Sequence, residues 1–470
     1  MSDPIGALAD RCLLPGFVGT SVPGWVRRRA AAGLGGVVLY GRNVESPGQL
    51  AELTRQLHAE RPELLVAIDE EGGDVTRLEV QTGSSCPGNL ALGAADDVRL
   101  TRTVAAAMGA ELATAGIDLD LAPDADVNSN PANPVIGVRS FGAEPRLVAA
   151  HTAAFIEGLQ GAGVAACAKH FPGHGDTSTD SHLELPVAAA DPHQGALEPF
   201  RAAIAARVQS IMTAHILVPT LDSVPATLSR RILHGLLREE LGFQGLVITD
   251  GLEMRAISDG VGIAEGTVQA LIAGCDALCI GGGLAEVDIV DRLRGAIVEA
   301  VRSGRLSEAR LTEAAGRVDR LAAWRAEQRP APAADRQVGL EAARRALRVD
   351  GQVQVGRGAL VVQLRPGSSI AVGKVSWGIA PAGLTFDQPP VAVEEVLRQA
   401  AGRGLVVVVR DLHRHPWQAA AVEAVLARRP DAVLVEMGLP AGRPEAAHNY
   451  IATQGAGRVN GEAALERLLA

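Results

Sequence analysis

The feature that most constrains this chain is a rhythm. Up to about residue 325, short apolar runs recur at Gly35–Tyr40, Leu64–Asp69, Ile117–Pro123, Val164–His170, Ser210–Ile216, Gly245–Asp250 and Cys275–Gly281. Each is of strand length, and the Ala-, Leu- and Arg-rich stretches between them, such as Ala264–Ala273 and Glu286–Val301, carry helical spacing. Alternating strand and helix of this kind builds a parallel sheet. Periodicity alone does not separate a closed barrel from an open doubly wound sheet, but the polar residues do. Asp69, Asp120, Lys169, His170, His215 and Asp250 stand at or beside the C-terminal ends of these predicted strands. A barrel assembles its site from many strand ends at once, whereas an open sheet draws mainly on one switch point. The expected fold is α/β, a (β/α)8 TIM-like barrel over residues 1–325.

At 470 residues the chain leaves room for a second unit. The stretch AEQRPAPAADRQ, rich in Pro and charge, predicts a linker over 326–338. Beyond it, a helix over Leu340–Leu347, strands at Ala359–Leu364, Leu405–Val409 and Ala432–Val435, and a helix over Trp417–Ala427 predict a smaller α/β layer domain at 339–470. A hydrophobic content of 47% against 21% charged residues fits globular domains. The 44 basic and 54 acidic residues, net −10, disfavour non-specific nucleic-acid binding. No apolar run is long enough to span a bilayer, and the first residues lack the basic and apolar regions of a signal peptide. Five scattered cysteines argue for a reducing compartment, so a cytoplasmic location is expected.

The densest polar cluster is Lys169-His170-Phe171-Pro172-Gly173-His174-Gly175-Asp176-Thr177-Ser178-Thr179-Asp180-Ser181-His182, which leaves a strand end through a Gly-rich loop. Three readings stay open on the residues themselves. Asp180 can orient His182 and tune it for proton transfer. His174, Asp176, Asp180 and His182 can act as ligands to a divalent metal. Or the side chains simply cap the loop. Cys275 and Cys279 read as buried thiols rather than a metal pair. Neither Gly260-Val261-Gly262 nor Gly281-Gly282-Gly283 completes a dinucleotide fingerprint, so no cofactor is assigned. Aromatic residues at 3% point to a pocket rather than a long stacking cleft.

The string KHFPGHGDTSTDSHLELP closely resembles the signature of the family 3 glycoside hydrolases of β-N-acetylglucosaminidase type, in their two-domain form. IDEEGGDVTRL (68–78), APDADVNSNPANPVIGVRSFG (122–142), IMTAHI (211–216), VITDGLEM (247–254) and the closing IATQGAGRVNGEAALERLL resemble further family segments in the same order. The resemblance implies a retaining mechanism, with Asp250 as nucleophile and an Asp180–His182 dyad as acid/base. It implies sugar contacts from Asp69, Arg139, Lys169 and His170, with His215 lining the site. Two positions depart from the family pattern. Asp74 stands where an Arg is usual, which shifts that contact toward Arg77, and Gly251 follows the nucleophile where Asp or Ala is common.

The substrate implied is a carbohydrate with a terminal β-linked N-acetylglucosamine, from a chitin or cell-wall fragment. Rival readings are a phosphorylase of the same fold that uses phosphate as acceptor, a metal-dependent hydrolase, and a non-catalytic sugar-binding protein. No partner protein and no oligomeric state are indicated.

Overall fold

The computed structural model describes residues 3–283, 286–329 and 337–470. The chain forms two compact units. The first comprises residues 1–70, 101–134 and 143–334; the second comprises 71–100, 135–142 and 335–470. Segments 71–100 and 135–142, both numbered within the first 325 residues, thus belong to the second unit. Of the expected linker, residues 330–336 lie outside the described residues, and the helix Glu308–Glu327 runs into its start.

In the first unit, strands β1 (Leu13–Pro15), β2 (Gly36–Leu39), β3 (Leu65–Ile68), β4 (Leu119–Asp120), β5 (Ala165–Phe171), β6 (Ser210–Thr213), β7 (Leu246–Thr249) and β8 (Leu278–Ile280) form a parallel barrel. Strands β2 to β7 pair in sequence order. The sheet continues through a parallel bridge between Ile248 and Ala277 to β8, which pairs with β1. At the remaining seam the Gly35 amide donates to the Asp10 carbonyl at 3.0 Å. Alternate residues from every strand meet inside: Leu14, Val38, Ala67, Leu119, Cys167, Met212, Ile248 and Cys279 belong to one buried cluster, which Val318, Leu321 and Ala322 of the 308–327 helix join. A strand sends alternate side chains to opposite faces, so one set fills the barrel and the other meets the helices.

A buried ion cluster ties the same helix to the strands. The Asp276 carboxylate, fully buried, pairs with Arg238 at 2.6 Å, Arg310 at 2.8 Å and Arg317 at 3.0 Å, and accepts the Val247 amide at 3.0 Å. Burial pushes the Arg238 guanidinium down to about 10, with Asp276 opposing.

The second unit is a six-stranded sheet of β9 (Arg348–Asp350), β10 (Leu360–Leu364), β11 (Leu384–Phe386), β12 (Leu405–Val409), β13 (Val433–Glu436) and β14 (Asn449–Ala452). The order is β11-β10-β12-β13-β14-β9, parallel except for β9. Its inner strands β10, β12 and β13 bury apolar residues on both faces. Val362, Val407 and Leu434 pack with Val422 and Val425 on one side, and Val361, Val406 and Val435 pack with Ala464 and Leu468 on the other. This is the αβα layering of a covered parallel sheet. Among the described residues no helix is long and apolar enough to cross a membrane.

Removing the Asp276 carboxylate takes the shared counter-charge from three guanidinium groups, of which Arg310 and Arg317 keep Glu313. Asp276→Ala is expected to lower unfolding stability by about 3 kcal/mol or more, read by urea titration. A loss below about 1 kcal/mol would show that the cluster does not hold the helix to the strands.

Candidate active site

In the first unit, polar side chains collect at strand ends. Asp250 follows β7, partly buried, and its Oδ1 accepts the Gly251 amide at 2.7 Å. Burial alone would raise its carboxyl. The imidazoles of His170, His215 and His182, with the Gly251 amide, outweigh it and hold the group down to about 2. Asp250 is therefore ionised at neutral pH.

His215 follows β6, fully buried. Its Nε2 lies 3.0 Å from the Gly251 carbonyl and its Nδ1 2.7 Å from the Thr227 hydroxyl. A carbonyl only accepts, so Nε2 carries the hydrogen; burial lowers the ring's pKa and keeps it neutral. Gly251, the residue after Asp250, is thus held through both its amide and its carbonyl. Gly251 has no room to spare, because a Cβ there would sit 3.3 Å from the Glu253 carboxylate. Glu253 itself accepts the amides of Gly281 at 3.1 Å, Gly282, and Gly283 at 3.3 Å. The triple-glycine loop is an amide nest filled by the protein's own carboxylate.

The loop beyond β5 is built on Asp126. This fully buried carboxylate meets His170 Nδ1 at 2.7 Å and accepts the backbone amides of His170 at 3.3 Å and His174 at 2.6 Å. Asp124 Oδ1 in turn accepts the Asp126 amide at 3.0 Å. Lys169, 2% exposed, pairs with Asp69 after β3 at 2.7 Å. Asp120 lies fully buried and accepts the Glu70 amide; burial raises its carboxyl well above the usual range.

Farther along, Asp180 Oδ1 accepts the His182 amide at 2.9 Å and lies 2.7 Å from His182 Nδ1. Burial opposes ionisation of Asp180, but these contacts prevail and lower its pKa. An ionised carboxylate only accepts, so Nδ1 carries the hydrogen.

The four residues considered as a metal set go separate ways. Asp176 accepts the Ala189 and Ala190 amides at 2.9 and 2.7 Å, and His174 lies between Thr177 at 2.7 Å and Ser181 at 3.3 Å, its pKa lowered to about 4 by burial. Among the described residues, the grouping with convergent ligand atoms is Asp124, Asp126 and His170, whose ligand atoms lie within 4.8 Å of one another. There the imidazole already serves Asp126, which suits orientation of the ring. Asp124, Asp126 and Thr227 are site residues that the sequence reading passed over; the first two stand in its quoted segment 122–142, whereas Thr227 carries no local signal.

Arg139 and Arg77 lie in the second unit. Arg139 makes a buried bidentate pair with Glu71 at 2.7 and 2.9 Å and donates to the Val135 carbonyl at 3.1 Å. Arg77 donates to the carbonyls of Ala371 at 2.8 Å and Val372 at 3.1 Å.

A (β/α)8 barrel with polar side chains pooled at its strand ends is the frame of an enzyme, and known proteins identify the class as glycoside hydrolase. The chain is 36% identical over 317 residues to the Beta-hexosaminidase A of Pseudoalteromonas piscicida, an alignment covering 61% of this chain and 53% of that one. It is 39% identical over 257 residues to the Beta-hexosaminidase of Nitrosomonas eutropha, covering 53% and 73%. The chain thus spans about half the length of the first relative and about three quarters of the second. The solved family 3 beta-N-acetylglucosaminidase of Paenibacillus sp. str. FPU-7 superposes with a TM-score of 0.88 at 33% identity, covering 99% of this chain and 96% of that one. The pattern of the glycosyl hydrolase family 3 N-terminal domain matches residues 28–321, and the chain belongs to that family.

The depressed Asp250 carboxyl has a consequence for stability. A group whose folded pKa lies below its usual 3.8 stabilises the fold above that value and loses the contribution as pH falls toward about 2. Between about pH 5 and about pH 3 the wild-type chain should therefore lose urea stability relative to Asp250→Asn. A constant difference would show that the imidazoles do not hold the carboxylate ionised.

Proposed function

We propose that this enzyme is a retaining, exo-acting β-N-acetylglucosaminidase that removes terminal β-linked N-acetylglucosamine through a covalent glycosyl-enzyme. The observation that carries the reading is the pairing of two differently prepared groups: an ionised carboxylate at the end of β7, and an imidazole whose Nδ1 is committed to Asp180. Asp250 attacks the anomeric carbon as His182, protonated, delivers the Nε2 proton to the leaving oxygen. The neutral ring then takes a proton from the water that attacks the glycosyl-enzyme, and Asp250 departs as a carboxylate. Asp180 stays ionised throughout and stabilises the imidazolium as it forms.

In this reading Asp69, Lys169, His170 and Arg139 hold sugar hydroxyls or the acetamido group, since carboxylates accept and cations donate in fixed directions. His215 positions the Gly251 carbonyl, and so the backbone that follows the nucleophile. Arg77 supports the 371–372 backbone. The terminal sugar and the water acceptor are supported by the named relatives and the Paenibacillus structure. Phosphate is the rival acceptor, because a neutral imidazole repels it less than a carboxylate would.

Incubation with an aryl β-N-acetylglucosaminide, with and without millimolar phosphate, followed by mass spectrometry, tests the acceptor. Free N-acetylglucosamine at equal rates is expected; a sugar phosphate formed only with phosphate would make the enzyme a phosphorylase. Asp250→Ala should reduce kcat by more than about 1,000-fold with the fold intact, and substantial activity in that variant would remove the nucleophile assignment.

A further inference from the structure

Asp74, one of the two positions that depart from the family pattern, is closely held within the second unit. It closes a turn whose Glu71 amide donates to the Val75 carbonyl at 3.0 Å and whose Gly73 amide donates to the Cys86 carbonyl at 2.8 Å. Gly72 and Gly73 adopt φ of 76° and 57°, and a Cβ on Gly73 would lie 2.5 Å from Gly88. Only glycine fits there, so the turn has one shape. Its two carboxylates face different partners. Glu71 holds the Arg139 guanidinium through both oxygens. Asp74 accepts the Ala456 amide at 2.7 Å through Oδ1, and its Oδ2 pairs with Arg410 Nη2 at 2.5 Å.

Arg410 follows β12 and is itself held. Gln418, fully buried, accepts the Arg410 amide at 3.2 Å and donates to its carbonyl at 3.1 Å, while the guanidinium lies 5.6 Å from the Trp377 ring centroid. All four charged groups are buried: Glu71 is 2% exposed, Asp74 5%, Arg139 7% and Arg410 8%. Burial disfavours the Asp74 carboxylate and Arg410 opposes that effect. A buried carboxylate between a guanidinium and an amide has little freedom to move, and a rigid turn transmits its position to Glu71.

We propose that Asp74 and Arg410 form a positioning pair: they fix the Glu71–Asp74 turn to the end of β12, and through Glu71 they set the guanidinium of Arg139 for the sugar. The inference rests on the assignment of Arg139 to the sugar made above. It explains why an acidic residue is useful at position 74, where the domain supplies the arginine.

The test is a double-mutant cycle in the full chain, read as kcat and KM for an aryl β-N-acetylglucosaminide, with melting temperature as the control for folding. Asp74→Asn should raise KM on the order of tenfold or more with a smaller change in kcat, as expected when a binding group is misplaced. Asp74→Asn/Arg410→Gln, which leaves no orphaned charge, should show the same shift even if the single variant folds poorly. In an Arg139→Ala background Asp74→Asn should add nothing further. Unchanged KM in a folded Asp74→Asn/Arg410→Gln variant, or effects of Asp74 and Arg139 that simply multiply, would overturn the proposal while leaving the Arg139 assignment in place. Unchanged KM in Arg139→Ala alone would remove that assignment, and the positioning role with it.

Discussion

The site loop depends on one buried carboxylate. Asp126 has no exposed surface, and its oxygens serve an imidazole and two backbone amides, all from the first residues after the β5 core. A buried charge persists only when its hydrogen-bonding capacity is used, so the path of residues 170–174 is dictated by the need to satisfy it. The loop that ends in Asp180 and His182 starts from this fixed point. His170 is turned by the same contact, and its ring is one of those that keep Asp250 ionised.

The imidazoles divide by environment. His174 and His215 are buried among hydroxyls and a carbonyl, which favours the neutral ring, and both have lowered pKa values. His182 is paired through Nδ1 with an ionised carboxylate. One residue type therefore stands in two settings, with a hydroxyl against Nδ1 in His174 and His215 and a carboxylate against Nδ1 in His182.

Much of this was legible in the sequence, for physical reasons that also mark where legibility stops. The barrel strands β2 to β8 show as apolar runs because each is buried on both faces, and Asp69, Lys169, His170, His215 and Asp250 show because they end such runs. The three-residue β1 falls below what a pattern resolves, and the short, partly exposed β9 and β11 carry no apolar run. The motif residues of 71–100 and 135–142 look like barrel loops, since their positions in the chain say nothing of partners after residue 335. His174 and Asp176 have the look of metal ligands, yet each is consumed by local hydroxyls or amides that spacing alone does not reveal.

The pairing of β1 with β8 has a bearing on how the molecule is made. Leu13 waits for Leu278, so the first strand leaves the ribosome with its partner β8 still untranslated, on the order of tens of seconds away at ordinary elongation rates. Residues 71–100 wait longer still, for a sheet that begins at Arg348. Until then the nascent barrel carries an open edge and displaced inserts, which makes the interval before the C-terminal domain emerges the period of greatest exposure to misassociation.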